Sequence, residues 1–323
     1  MAAGKRRSSM SEIHNTIRPQ ALSAGDTVGV VAPAGPIERE ALEAGCATLR
    51  EMGYKPVYCE SILDRDMYFA GSAERRLNEL HGMFRREDVR AIICARGGYG
   101  CNYLLPELDL ELIRKHPKIL VGYSDVTTLL TYISDQTGLV TFHGPMVAKD
   151  FAAPGGMDID SWHGSVSQAR PFKKRFAPDD VVPLVRGRTE GRLYGGCLSM
   201  LTASLGTPYE IQTDGAILFV EDIAARPYQV DRMLMQLKLA GKFDGVRAIV
   251  FGDFRDCDAE EGSGYTLQDV IVRVVGGMGM PVAYGLRSGH VCGGNMTIPI
   301  AVEANVSVED EVVLGWQAAV CSG

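Results

Sequence analysis

The sequence lacks the features of several classes of protein. Its eight cysteines form no C-x-x-C pair and are scattered over 323 residues, which argues against a zinc site or a disulfide framework and fits thiols kept reduced. No segment approaches the roughly 18 continuous apolar residues of a membrane span. The formal net charge of −7 shows no general excess of the Lys and Arg that nucleic-acid phosphates require. We therefore expect a cytoplasmic protein that binds neither nucleic acid nor membrane.

Two kinds of ligand-binding motif are also missing. The chain has six histidines, and no two of them are spaced as metal ligands on one helix. The glycine cluster Arg96-Gly-Gly-Tyr-Gly100 matches neither G-x-G-x-x-G nor G-x-x-x-x-G-K-[ST], so a nucleotide-dependent dehydrogenase is disfavoured. We expect neither a metal nor a cofactor.

The composition and the order of apolar segments indicate an α/β fold. Hydrophobic residues make up 46% of the chain and charged residues 23%, enough apolar material for a sizeable core. Asp26–Ala32, Arg90–Ala95 and Lys118–Gly122 have the composition of buried strands. A helix with an apolar stripe follows from Val126 to Ile133, and strands that alternate with helices imply a mostly parallel sheet.

The chain divides by composition into four segments. Residues 161–188 are rich in Pro, Gly and charged side chains, which is typical of a connection between domains. Later strands are predicted at Ala216–Val220 and Ala248–Phe251, and Thr297–Ala319 alternates like β structure. We predict a flexible extension (1–16), an N-terminal α/β domain (17–160), an interdomain connection (161–188) and a C-terminal domain (189–323).

Ser124 is the first candidate for chemistry. A strand, then Gly122, then Ser124 at the start of a helix is the pattern of a nucleophile elbow, which projects the hydroxyl from the sheet edge. The usual G-x-S-x-G motif has Gly two residues after Ser, where this chain has Val126. Ser124 or Asp125 could instead simply cap the helix.

Glycines and a few polar residues supply the other candidates. The cluster Arg96–Gly100 could contribute backbone N–H groups to an oxyanion hole, or it could be a tight turn. Glu221 and Asp222 follow a buried strand, where an orienting carboxylate would be useful and where ordinary loops also begin. His290 lies in a glycine-containing loop; His143 competes with it, unless His143 is a buried, hydrogen-bonded core residue.

The chain resembles the LD-carboxypeptidases, a family of serine peptidases that trim murein peptides. The matching motifs run in the family's order from about residue 17 onward. They are Asp26-Thr-Val-Gly-Val-Val-Ala-Pro-Ala-Gly35, Ala95-Arg-Gly-Gly-Tyr-Gly100, Gly122-Tyr-Ser-Asp-Val-Thr127, Gly195-Gly-Cys-Leu198, Glu221, Pro227-Tyr-Gln-Val-Asp-Arg-Met-Leu234, Gly289-His290 and Asn295-Met-Thr-Ile-Pro299. The family motif is G-x-S-D, so Val126 is no departure from it.

The resemblance implies a catalytic triad of Ser124, Glu221 and His290 in a cleft between two domains. It implies a flavodoxin-like N-terminal domain, a smaller β-rich α/β C-terminal domain, a homodimer and no metal. The substrate would be a murein tetrapeptide that loses its terminal D-amino acid in peptidoglycan recycling.

Further roles follow from the motif positions. The backbone N–H of Asp125, with that of Gly97 or Gly98, would bind the oxyanion. Tyr99 and Asn295 are candidates for substrate contact. The candidates for binding the substrate's terminal carboxylate are Arg96, Arg226 and Arg232.

Two other functions remain open at this point. The nearest is the immunity branch of the same family, which cleaves peptide or aminoacyl-nucleotide antibiotics with the same chemistry. The other is a two-domain protein that binds small metabolites without catalysis and has no use for a reactive serine.

Overall fold

The computed structural model describes residues 16–322, so residues 1–15 of the predicted extension lie outside the described residues. The strands in that part of the chain are β1 (Thr27–Val31), β2 (Lys55–Val57), β3 (Val89–Cys94), β4 (Ile119–Gly122), β5 (Thr141–His143), β6 (Phe172–Phe176), β7 (Val182–Val185), β8 (Gly187–Cys197), β9 (Ala216–Ile223), β10 (Ala248–Arg255), β11 (Val282–Leu286), β12 (Ile298–Ile300), β13 (Val302–Val308) and β14 (Val312–Trp316). The α-helices are α1 (Arg39–Glu51), α2 (Ala73–Arg85), α3 (Leu110–Lys115), α4 (Thr127–Thr137), α5 (Ile159–Trp162), α6 (Leu198–Ala203), α7 (Pro227–Leu239) and α8 (Leu267–Val275).

The first sheet has six strands in the order β12-β5-β4-β3-β1-β2. Strands β1 to β5 are parallel, and their 2-1-3-4-5 order is that of flavodoxin-like folds. The apolar runs in β3 and β4 are almost wholly buried because helices cover both faces of a parallel sheet. This confirms the predicted flavodoxin-like α/β fold of the N-terminal half. No helix within residues 16–322 is long and apolar enough to cross a membrane.

The second sheet is mixed and has eight strands, in the order β6-β14-β13-β8-β9-β10-β11-β7. Strands β8 to β11 are parallel, and the four remaining pairings are antiparallel. The predicted interdomain connection supplies β6 and β7, the two edge strands of this sheet. Charged residues in β6 and Pro183 in β7 suit solvent-facing edges. β6 therefore lacks the apolar run by which strands are recognised in a sequence, and in β7 a proline interrupts it.

The two sheets are joined through one short stretch of chain. Strand β12 pairs antiparallel with β5 in the first sheet, whereas β13, one residue further on, belongs to the second sheet. Ala301 makes the turn between them with φ = 69°, a left-handed value that is unusual for a residue with a side chain. A single cluster of buried apolar residues includes Val121 from the first sheet and Ile217 from the second.

Candidate active site

Ser124 lies on a sharp turn at the carboxyl end of β4. Its φ is 64°, and it begins a short 3₁₀ turn that leads directly into α4. A left-handed backbone costs a residue with a side chain about 1–3 kcal/mol, so the surrounding structure must enforce this conformation. Tyr123 and Asp125 on either side are buried, whereas Ser124 is partly exposed. The strand, turn and helix therefore present its hydroxyl at the sheet edge, as the elbow pattern predicts.

The glycine cluster packs directly against this turn. A Cβ atom on Gly97 would lie 2.7 Å from the Cβ of Ser124, so only glycine allows the approach. The Gly35 N–H, in the loop after β1, donates to the Gly97 carbonyl at 3.0 Å. The Asp125 carboxylate accepts a hydrogen bond from the Cys101 N–H at 2.8 Å and so holds the end of the cluster. The loops after β1, β3 and β4 meet where the strand order reverses, the usual place of ligand sites in such sheets.

Glu221 and His290 form a buried pair on the other side of the junction, the region where the two sheets meet. The Nδ1–H of His290 donates to Glu221 Oε2 at 2.8 Å, and the His290 backbone N–H donates to the same oxygen at 3.0 Å. Glu221 lies within β9 rather than after it, because the strand continues to Ile223. Burial would raise the pKa of this carboxyl, but the imidazoles of His143 and His290 lower it to about 2. Glu221 is therefore ionised and can orient His290.

His143 lies beside the second oxygen of the same carboxylate. Its Nε2 is 3.7 Å from Glu221 Oε1, and both side chains are fully buried. Its Nδ1 is 3.1 Å from the Ser288 hydroxyl, which donates to the Met296 carbonyl at 2.8 Å. The predicted competitor of His290 is thus a buried, hydrogen-bonded residue that also faces Glu221.

Two glycines and an asparagine hold Glu221 and His290 in place. A Cβ on Gly289 would lie 2.4 Å from the carboxyl carbon of Glu221, and one on Gly252 would lie 2.7 Å from its Cβ. Asn295 is fully buried. Its side-chain oxygen accepts from the Gly289 N–H at 2.9 Å, and its side-chain NH₂ donates to the Gly289 carbonyl at 3.2 Å. The amide of Asn295, a candidate for substrate contact, is therefore bonded to the loop that carries His290.

Ser124 belongs to the same junction as the Glu221–His290 pair. The ring of Tyr123, the residue before Ser124, lies 5.1 Å from the His290 ring between centroids, edge to face at 87°. Thr127, at the start of α4, accepts a hydrogen bond from the Cys197 N–H at the end of β8 at 3.1 Å. The structure thus brings together segments from both sheets that are far apart in the sequence.

Cys197 completes a group of three potential metal-ligating side chains. Its sulfur, a Glu221 oxygen and a His290 nitrogen all lie within 4.8 Å of one another. Burial, with the charges of Glu221 and Asp222, raises the pKa of the Cys197 thiol well above its usual value. Metals bind the thiolate, and the Glu221 oxygen in this group already accepts from His290.

The other predicted substrate-binding residues lie in different places. Arg96 is exposed and donates to the Pro36 carbonyl at 3.0 Å. Tyr99 is 41% exposed and joins a group of aromatic rings with Tyr68, Phe69 and Tyr103.

Arg226 and Arg232 lie on the exposed side of α7. Arg226 is the N-cap residue of that helix, and the Arg232 guanidinium stacks over the Tyr228 ring at 5.9 Å. Within residues 16–322 neither arginine forms a hydrogen bond or ion pair with the side chain of Ser124, Glu221 or His290.

Lys149 is a cation at the junction that the sequence did not point to. It is partly buried, and its Nζ lies 5.0 Å from the centroid of the Tyr123 ring. It lies in a π-helical turn, Val147–Phe151, just after β5. A signal was available: the carboxyl ends of parallel strands meet at one edge, so the segment after β5 had to approach the one after β4.

The fold and site together define a two-sheet α/β protein whose polar side chains converge where the sheets meet. Known proteins of one family match most of the chain. Models of the LD-carboxypeptidase N-terminal and C-terminal domains match residues 28–144 and 190–306. A probable murein peptide carboxypeptidase of Bacillus subtilis is 39% identical over 303 residues, which cover 92% of this chain and 93% of the relative.

Two further similarities come from both branches of the predicted family. The microcin C7 self-immunity protein MccF of Escherichia coli is 29% identical over 323 residues, 90% of this chain and 93% of that protein. The crystal structure of muramoyltetrapeptide carboxypeptidase from Oxalobacter formigenes has a TM-score of 0.83 at 28% identity, with 91% of this chain and 100% of that chain covered. The chain belongs to the LD-carboxypeptidase family, which confirms the resemblance seen in the sequence motifs.

Proposed function

We propose that this protein is a serine carboxypeptidase that releases the terminal D-alanine from a murein tetrapeptide in peptidoglycan recycling. The observation that carries the proposal is the ionised, buried Glu221 bonded to His290 Nδ1, whose ring packs against Tyr123, the residue before Ser124 on its left-handed turn. The names of the Bacillus and Oxalobacter relatives support the choice of substrate. The cytoplasmic location and the homodimer stay predictions.

The proposed mechanism assigns one proton to each step. Because Glu221 accepts from Nδ1, the Nε2 of His290 is left to take the Ser124 proton as Oγ attacks the carbonyl carbon. Backbone N–H groups of Asp125 and of Gly97 or Gly98 stabilise the oxyanion. The C–N bond then breaks, and His290 protonates the leaving amine of D-alanine. Water, deprotonated by His290, hydrolyses the acyl-enzyme on Ser124 and restores the serine.

The test is mass spectrometry of a diaminopimelate-containing tetrapeptide incubated with wild type and with Ser124→Ala. Wild type should release one D-alanine, and the variant should be slower by on the order of 10⁴-fold or more because it lacks the nucleophile. The exposed Ser263→Ala serves as the control variant. Full activity in a folded Ser124→Ala protein would disprove the proposal.

The immunity branch supplies a second candidate, because MccF also matches nearly the whole chain. It would use the same groups to cleave a peptide or aminoacyl-nucleotide, so a released nucleotide instead of D-alanine would identify it. A non-catalytic binder would show no labelling of Ser124 by a serine-reactive phosphonate.

A further inference from the structure

Lys149 is a partly buried cation that lies over the ring of Tyr123, with the carboxylates of Asp150 and Glu221 acting on it from beyond ion-pair distance. Within residues 16–322 the Lys149 ammonium contacts the face of the Tyr123 ring and forms no ion pair. The neighbouring Asp150 is engaged elsewhere: it accepts from the Met146 N–H at 2.9 Å and from the Tyr123 hydroxyl at 3.4 Å. Removing an ammonium group from water without a partner is unfavourable, so a site of this kind suits an anionic ligand.

The position of Lys149 relates it to the reaction rather than to the fold. The Tyr123 ring that it covers precedes Ser124 and packs edge to face with His290. In a carboxypeptidase substrate the terminal carboxylate is three bonds from the carbonyl carbon that Ser124 would attack. The group that binds this carboxylate must therefore lie close to the nucleophile, and Lys149 is linked to it through the Tyr123 ring, which precedes Ser124 and packs against His290.

Charges of both signs surround Lys149. Burial lowers the pKa of Lys149, and the charges of Arg255 and Arg96 lower it further, whereas Asp150 and Glu221 raise it. Arg255 ends β10 and pairs in register with Ile223, two residues after Glu221. Its side chain is 40% exposed, with Asp256 at 3.4 Å as its counter-ion.

We infer that Lys149 binds the free carboxylate of the substrate's terminal D-amino acid. This subsite rests on the proposed function and deepens it, since it makes the enzyme specific for a free carboxyl end. It replaces the exposed Arg226 and Arg232 as the partner of that carboxylate, and leaves Arg96 at most a supporting charge.

The test compares a murein tetrapeptide acid with its C-terminal carboxamide, in which a neutral NH₂ group replaces the charged oxygen. Lys149→Met should lower kcat/KM for the acid by about 10- to 100-fold, the loss of one charge-assisted contact, and leave that for the amide within about twofold. Lys149→Arg should restore most of the preference for the acid. Lys173→Met, at an exposed lysine, is the matched control.

A binding measurement separates failure of the subsite from failure of the proposed function. Calorimetric titration of Ser124→Ala with the acid and the amide, with and without Lys149→Met, does not depend on turnover. Acid-specific binding that needs Lys149 would support the subsite even if wild type released no D-alanine. Turnover by wild type with equal effects of Lys149→Met on acid and amide would overturn the subsite alone. Neither turnover nor acid-specific binding would overturn both.

Discussion

At the scale of the residue, Glu221 carries a buried negative charge that its neighbours must stabilise. One of its oxygens accepts two hydrogen bonds from His290, and the other faces His143 at 3.7 Å. Such a charge is tolerated in a protein interior only when partners are fixed around it. Because these partners hold Glu221 in one place, the residues beside it must be small, and Gly252 and Gly289 fill those positions.

The low pKa of Glu221 predicts a specific loss of stability in acid. The folded-state pKa of about 2 lies below the ordinary value of 4.5, so the unfolded chain binds the proton more readily. The stabilisation is therefore complete above about pH 4.5 and is lost as the pH falls towards 2. Between pH 5 and pH 3, the free energy of unfolding of wild type should fall by about 2 kcal/mol more than that of Glu221→Gln.

Urea unfolding at the two pH values measures this difference. The other buried carboxylates are present in both proteins, so their contributions cancel in the comparison. Glu303→Gln, at an exposed position, controls for the loss of one carboxyl group. Equal acid sensitivity of wild type and Glu221→Gln would show that Glu221 is not held in its charged form.

At the scale of the element, the loop between β11 and β12 positions His290. Its ends are tied by Asn295, which bonds both the N–H and the carbonyl of Gly289. The sequence predicted a loop here and singled out His290. Its pattern did not reveal that Gly289 lies against the carboxyl group of Glu221, since that contact joins residues 68 positions apart, one within β9 and the other in the loop after β11.

Two glycines in this loop allow a matched test. Gly289 and Gly294 both have left-handed backbones, with φ of 95° and 62°. A Cβ on Gly289 would meet Glu221, whereas one on Gly294 would meet nothing within 4 Å. Gly294→Ala should cost about 1 kcal/mol of stability through its backbone alone and keep activity.

Gly289→Ala should displace Glu221 and lower kcat by about 100-fold or more, because small misplacement of catalytic groups is costly. Peptide release by the two variants and their thermal unfolding are the measurements. Similar activity in both would show that the close approach to Glu221 does not matter.

At the scale of the whole molecule, the two sheets are linked by consecutive strands and by a shared core. Strand β12 extends the first sheet, β13 extends the second, and only Ala301 separates them. Buried side chains from both sheets belong to one apolar cluster. The site lies at this junction, so its geometry depends on both sheets being folded.

This connection predicts one cooperative thermal transition rather than two. Loss of either sheet would uncover the shared core and the β12–β5 pairing, which links their stabilities. Scanning calorimetry should give equal calorimetric and van't Hoff enthalpies. Ile298→Ala, at a fully buried position on β12, should lower the stability of this single transition by about 2–5 kcal/mol. Two resolved transitions would contradict the coupling.

Much of the architecture was predictable because local patterns encode it. The apolar strands and striped helices marked the parallel sheet, and the ordered motifs marked the family. Strands β6 and β7 were not predictable by the same means, since the charged residues of β6 and Pro183 of β7 suit edges rather than buried positions.

The sequence by itself determined the family, the flavodoxin-like sheet and the identity of the candidate Ser124, Glu221 and His290. Only the tertiary structure decided that His143 faces Glu221 and that Lys149, rather than Arg226 or Arg232, lies beside Tyr123. The physical reason is range. Sequence patterns report on neighbours a few positions apart, whereas the His290–Glu221 and His143–Ser288 bonds join residues 69 and 145 positions apart. The first bond forms only when the second sheet has assembled, and the second only once the two sheets have packed together.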